Sequence, residues 1–258
     1  MPSSDLQPRS RPFSGKLYLG LPVLIMIALC LLELTNIDMD LERLFYNPLE
    51  HTFTGKHSYW LETVLHDRAK QVVIAIGVFA AIGYGLSYLV KRLLPYRREF
   101  IFVVVAMTLS TSYTNPVKTM TGVQCPWDLT EFGGQQAYSK LLQPRPPTAD
   151  PGRCWPGGHA ATGFTLFTLF FALRDRRPRA ARVALAVAFT MGSVFSIGRM
   201  IQGAHFLSHN IWAAVFCWLI CLGTYYVMLY RPRSVAVLEK RRAAAVVEDV
   251  PVAVVTAN

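Results

Sequence analysis

The strongest constraint on this chain is how its apolar residues are gathered. They form six blocks, at about 17–34, 72–90, 100–113, 159–174, 183–201 and 210–229, each near the length that crosses a bilayer. Charged residues make up 16% of the sequence, against roughly a quarter in a soluble domain. The expected fold class is therefore all-α, a polytopic membrane protein with six transmembrane helices in a bundle. It forms one membrane-embedded domain over 1–258, with disordered tails at about 1–15 and 235–258. For the first block a cleaved signal peptide is the alternative, but Glu33 and Asn36 stand where a cleavage site needs small residues. It reads as a retained helix.

The net charge of +10 invites a nucleic-acid partner. The basic residues, however, lie in short clusters beside apolar blocks, as in cytoplasmic loops facing anionic lipid, so no nucleic-acid partner is expected. Seventeen of the 26 Lys and Arg residues fall before the first block, at 91–98, at 174–182 and after the sixth block. The positive-inside rule then puts both termini in the cytoplasm. Lys118, Asp128, the 154–159 stretch, Arg199, His205 and His209 all fall on the outer side. A multi-pass protein of a bacterial inner membrane, with a periplasmic site, fits this layout.

Outside the blocks, segment 59–70 carries Trp60, Leu61, Val64 and Leu65 at helical spacing and is expected to lie in the interface plane. The proline-rich loop 143–153 reads as a lid or a spacer. Cys30, Cys217 and Cys221 sit inside blocks as small packing residues. Cys125 and Cys154 share the outer loop between the third and fourth blocks, and an oxidising compartment favours a bridge there. Sequence does not supply the Cα separation a bridge needs, so both states stay open. His205 and His209 have zinc-ligand spacing but lack a second ligand pair, and no metal is expected.

Two stretches carry chemistry. Cys154-Trp155-Pro156-Gly157-Gly158-His159 places two glycines and a histidine at the start of an apolar block. Glycine lets backbone amides approach an anion, and a histidine beside them can move a proton near neutral pH. Taken alone, this is also what an ordinary loop before a membrane helix looks like. Gly198-Arg199 through His205 to His209-Asn210 sets an arginine fork six residues before a histidine, which suits phosphate oxygens. The bland reading is a snorkelling arginine beside a helix-capping histidine.

Together these residues resemble the three motifs of the type 2 phosphatidic acid phosphatase (PAP2) superfamily: Lys-x6-Arg-Pro, Pro-Ser-Gly-His and Ser-Arg-x5-His-x3-Asp. Lys118 with Cys125-Pro126, Pro156 to His159, and Arg199 with His205 match in order and spacing, over about 100–212. The resemblance implies that His205 attacks phosphorus to form a phosphohistidine and that His159 protonates the leaving oxygen. Lys118, Arg199, Gly157 and Gly158 would hold the phosphoryl oxygens, without metal or cofactor. Three departures stand out. Cys125 replaces the arginine of the first motif, with Arg145 or Arg153 as possible stand-ins. Gly157 and Gly198 replace serines. His209 replaces the aspartate that orients the nucleophile, which leaves His209, Asn210 or Asp128 as candidate orienting groups.

The implied function is a membrane phosphatase of lipid phosphates or pyrophosphates at the outer face. Phosphatidic acid, phosphatidylglycerol phosphate, undecaprenyl pyrophosphate and lipid A phosphates are the substrate classes. A lipid-to-lipid phosphotransferase and a catalytically degenerate lipid-binding protein are the alternatives. Trp127, Trp155 and Phe206 read as acyl or sugar contacts or as an interfacial belt.

Overall fold

The structure is a computed structural model describing residues 14–145, 148, 150–234 and 239. Apart from residues 14, 15 and 239, the two expected tails lie outside the described residues. Nearly all regular structure is helical: α1 (Leu21–Leu32), α2 (Ile37–Arg43), α3 (Ala69–Leu86), α4 (Arg97–Ser112), α5 (Thr114–Thr121), α6 (Gly158–Phe164), α7 (Phe167–Leu173), α8 (Pro178–Ile201) and α9 (Leu207–Tyr225). Two short antiparallel strands, β1 (Tyr46–Asn47) and β2 (Thr52–Phe53), pair Tyr46 with Phe53.

Among the described residues, four helical stretches are long and apolar enough to cross a membrane: Ala69–Leu86, Leu94–Asp128, Pro178–Ile201 and Leu207–Ser234. Lys16–Leu32 and Ile37–Arg43 reach that length only as a pair, bent by 78°. The expected fourth span, Gly158–Leu173, is apolar but shorter. At 1.5 Å per residue it reaches about 24 Å, against roughly 30 Å of hydrocarbon. The architecture is thus an all-α membrane protein with four to five helices of spanning length among the described residues, and the six spans read from hydropathy are not all matched by a helix of that length.

Helix α9 runs through the middle of the core, against α1, α4, α6 and α7. Phe102, Ala106, Phe167, Phe171, Cys217 and Tyr225 are buried around it. Small residues allow this closeness, as is common between helices in lipid. A Cβ on Gly163 would come within 2.7 Å of the Gly192 Cα, so α6 and α8 meet backbone to backbone. Thr168 Oγ1 and Ser110 Oγ lie 3.2 and 3.5 Å from Cys221 Sγ, satisfying polar groups inside the bundle. Large apolar side chains on α1 and α3, such as Leu24 and Phe79, point outward, as lipid contact requires.

Basic clusters alone were expected on the loops away from the histidines. A buried ionic clasp is there instead. Arg233 donates to Glu99 Oε1 at 2.6 Å and to Asp175 Oδ2 at 2.7 Å. Arg176 Nε reaches the same Glu99 oxygen at 2.7 Å, and the Tyr225 hydroxyl donates to Asp175 at 2.7 Å. The start of α4, the turn after α7 and the end of the last helical stretch are joined by it. The segment expected in the interface plane forms Trp60–Arg68, which leads straight into α3 and packs on α8.

Candidate active site

At the other end of the bundle, three chain segments converge. Helix α5 carries Lys118 and ends at Gly122, whose φ of +59° is the left-handed conformation a helix stop favours. Past that turn, Val123 O accepts the amide of Cys154 at 2.9 Å, and Thr121 Oγ1 donates to Trp155 O at 3.2 Å. A Cys125–Cys154 disulfide closes this pairing, with the Cα atoms 5.1 Å apart. Sequence left that bridge open. The third segment is the end of α8. Gly203, at φ +73°, turns the chain with Phe53 filling the space a Cβ would need. Ala204 N then donates to Arg199 O at 2.8 Å, and Trp127 N to Gly203 O at 2.9 Å.

These turns bring the sequence-predicted cations together. Lys118 Nζ lies 3.3 Å from the point where a Cβ on Gly158 would stand, so a larger residue there would displace the ammonium. The guanidinium of Arg199 donates to Gln202 Oε1 at 2.9 Å and sits 5.3 Å above the Trp127 ring. Its Nε is buried with no partner, a donor left for a ligand oxygen. His205 is 3% exposed. Burial first, then the charges of Lys118, His209, Arg199 and His159, hold its imidazole well below the ordinary 6.5. It is neutral at physiological pH, the form in which a ring nitrogen can attack.

The remaining expectations divide. The Gly157 amide is donated to His209 O at 3.0 Å, so it is not free for an anion, and the Gly158 amide is the one left. Asn210 Oδ1 fills the space a Gly157 side chain would take, while its Nδ2 donates to Phe206 O at 3.2 Å. Asp128 Oδ2 accepts the Cys125 amide at 3.3 Å in its own turn. Neither Asn210 nor Asp128 is hydrogen-bonded to His205. His209 is buried with Nδ1 unpartnered, its ring centre 6.2 Å from that of His205. Arg153 donates to Thr119 Oγ1 at 3.3 Å and acts electrostatically on Lys118. Arg145 holds Leu141 O at 3.0 Å and is felt at His209. Trp155 packs edge-on against Trp212 and Phe206 against His209, both as core residues.

Sequence reasoning missed two neighbours. Nδ1 of His205 lies 3.2 Å from Cys154 Sγ, a contact across 51 positions with no local signal. Asp38, on the short helix α2, accepts the Ser208 amide at 3.0 Å and caps α9. Donor atoms of Cys154, His205 and His209 also lie within 4.8 Å of one another. A sulfur held in a disulfide has no thiolate to offer, and the trio lacks the ligand a structural zinc centre needs. This trio does not fit a resident zinc ion.

Comparison with known proteins gives the family. The chain is 26% identical over 224 residues to the lipid A 4'-phosphatase of Francisella tularensis subsp. novicida (strain U112), covering 84% of this chain and 96% of that protein. No solved structure matches. The family model of the PAP2 superfamily matches residues 99–233, which takes in Lys118, His159, Arg199 and His205, and the chain belongs to that superfamily.

Proposed function

We propose that the protein is a metal-independent phosphatase of lipid phosphates or pyrophosphates, working at the periplasmic face of a bacterial inner membrane through a phosphohistidine. The observation that carries this reading is the convergence of Lys118, Arg199 and His159 on a buried, neutral His205, with the Arg199 Nε left unpartnered. Two cations, Lys118 and Arg199, held largely out of water at one site are costly unless an anion joins them. A phosphoryl group supplies that anion. The similarity to a lipid A 4'-phosphatase favours a lipid-borne phosphate, with glycolipid phosphates as the first substrates to test.

The steps follow from the residues. With Nδ1 turned to Cys154, Nε2 of His205 is the nitrogen left for phosphorus. Its lone pair forms the P–N bond as the bond from phosphorus to the lipid oxygen breaks, and His159 gives that oxygen a proton. Lys118, Arg199 and the Gly158 amide neutralise the equatorial oxygens, the main contribution protein makes in phosphoryl transfer. His159, now neutral, takes a proton from water. The hydroxide breaks the P–N bond and releases phosphate.

A cavity near the site fits a substrate whose tail stays in lipid. An apolar cavity of about 530 Å³ lies between α1, α7, α8 and α9, lined by Leu21, Ile25, Phe167, Ile197 and Trp218, with Asn210 also in its wall. Asn210 also touches Gly157, so the cavity leads towards the glycine segment. An acyl chain suits such a groove.

The test is phosphate release from a panel of lipid phosphates, lipid A included, by purified protein in detergent with chelator present. Release that persists in chelator and vanishes in His205→Ala supports the reading, and equal release by wild type and His205→Ala overturns it. Release only when an acceptor lipid is added would identify phosphotransfer.

A further inference from the structure

We propose that the Cys125–Cys154 disulfide positions the nucleophile, with Cys154 Sγ accepting the Nδ1 proton of His205. The inference rests on the reading of His205 as the attacking residue. An imidazole attacks through one nitrogen only when the other holds the proton, and an acceptor facing that proton selects the tautomer. The related family sets an aspartate four residues after the nucleophile. Here His209 stands at that position.

Two nearby carboxylates are committed elsewhere, and the buried Asn210 Oδ1 and His209 Nδ1 have no hydrogen-bond partner, His205 included. Asp128 accepts the Cys125 amide, Asp38 accepts the Ser208 amide, and Asn210 Oδ1 lies against Gly157. Among the described residues no carboxylate is hydrogen-bonded to His205. What faces its Nδ1 is the fully buried Cys154 sulfur, at 3.2 Å. A disulfide sulfur carries no hydrogen and can only accept, weakly. A lone pair on Nδ1 would face sulfur lone pairs, whereas a proton there meets an acceptor. The bridge therefore favours Nδ1–H and leaves the Nε2 lone pair for phosphorus. Sγ also lies 2.8 Å from Ala204 O. In the disulfide this is a contact, while in a free thiol the carbonyl would take the S–H proton and leave sulfur lone pairs towards His205. The positioning role thus belongs to the sulfur at 154, and the bond to Cys125 fixes where that sulfur sits.

Two substitutions separate positioning from bracing of the loop. Cys125→Ala and Cys154→Ala both remove the bridge, but only Cys154→Ala removes the sulfur beside His205. The full chain, labelled with 15N-histidine in detergent micelles, reports the tautomer of His205 by difference against His205→Ala. The expected result is Nδ1–H in wild type and in Cys125→Ala, and a mixture in Cys154→Ala. In phosphate release, kcat of Cys154→Ala should fall about tenfold or more below that of Cys125→Ala with KM little changed. This is less than the roughly 10⁴-fold seen when a triad loses its stronger carboxylate partner. An Nε2–H tautomer in wild type, or equal tautomers and equal kcat in the two variants, would overturn the proposal. Should wild type release no phosphate, the reading of the site fails, and the tautomers still decide the role of the sulfur.

Discussion

Asp38 Oδ1 accepts the backbone N–H of Ser208 at 3.0 Å, joining α2 to the first turn of α9 across 170 residues of sequence. That turn carries His209 and Asn210 and follows His205 directly, so the cap fixes how the third motif enters its helix. Asp38→Ala should remove about 1 kcal/mol, the usual worth of an N-cap. It should also lower kcat several-fold, because the turn that carries His205 loosens. Asp38→Asn keeps an acceptor and should retain most of both. Thermal unfolding and phosphate release, measured together on the two variants, check this. Equal losses in Ala and Asn would show that charge, not capping, is what matters.

The clasp at the far end is expected to act on stability alone. Arg233 bridges Glu99 and Asp175 with its side chain 5% exposed. Removing one member of a buried ion pair strands the others, at a cost of roughly 3–5 kcal/mol. Arg233→Ala should lower the unfolding midpoint in detergent by many degrees, while the kcat of the protein that remains folded stays near wild type. A large fall in kcat at a temperature where the variant is fully folded would show that the clasp is coupled to the site.

Much of this organisation can be read from sequence, for a physical reason. Hydropathy reports where apolar length accumulates, which locates α3, α4, α8 and α9. Motif spacing places Lys118, His159, Arg199 and His205, because each sits at a helix end whose position the apolar block fixes. Hydropathy is blind to helix breaks, so the block at 159–174 does not show that α6 and α7 are separated at Thr165–Leu166 or that the pair is shorter than the other long helices. Relations that exist only after folding left no trace. Glu99 meets Arg233 across 134 positions, and Cys154 meets His205 across 51. Helix α2, a seven-residue polar segment, had too little periodicity to read.

The depressed pKa of His205 sets a pH dependence with a definite sign. In the unfolded chain this imidazole protonates near 6.5, whereas in the fold burial and the neighbouring cations keep it neutral to well below that value. Below about pH 6.5 the unfolded state therefore binds more protons, and stability falls as pH falls. The nucleophile itself stays unprotonated across that range. Phosphate release should consequently show no acid limb from His205 near 6.5, while the unfolding midpoint declines steadily from pH 7 to pH 5. Replacing His205 by Gln should flatten part of that decline. An unchanged slope in His205→Gln would mean that other groups carry the acid sensitivity.

Gly157 and Asn210 form a pair in which each dictates the other. The family motif has serine at the first position, but here the Asn210 side-chain oxygen occupies the space that any Cβ on Gly157 would enter. Restoring the family residue alone should therefore harm the protein. Gly157→Ser drives its Cβ into Asn210 Oδ1 and strains the hydrogen bond from Gly157 N to His209 O, which is 3.0 Å long. Overpacking of this kind costs about 1–3 kcal/mol, and kcat should drop with it because His209 and His205 share that turn. Asn210→Ala opens the space at the expense of its hydrogen bond to Phe206 O. In the double variant the clash is gone, so it should be more stable and more active than Gly157→Ser alone. The two changes should then be non-additive by 1 kcal/mol or more, as touching residues roughly are in double-mutant cycles. Strict additivity in unfolding measurements would show that the side chains do not compete, and that the loss in Gly157→Ser comes from backbone conformation.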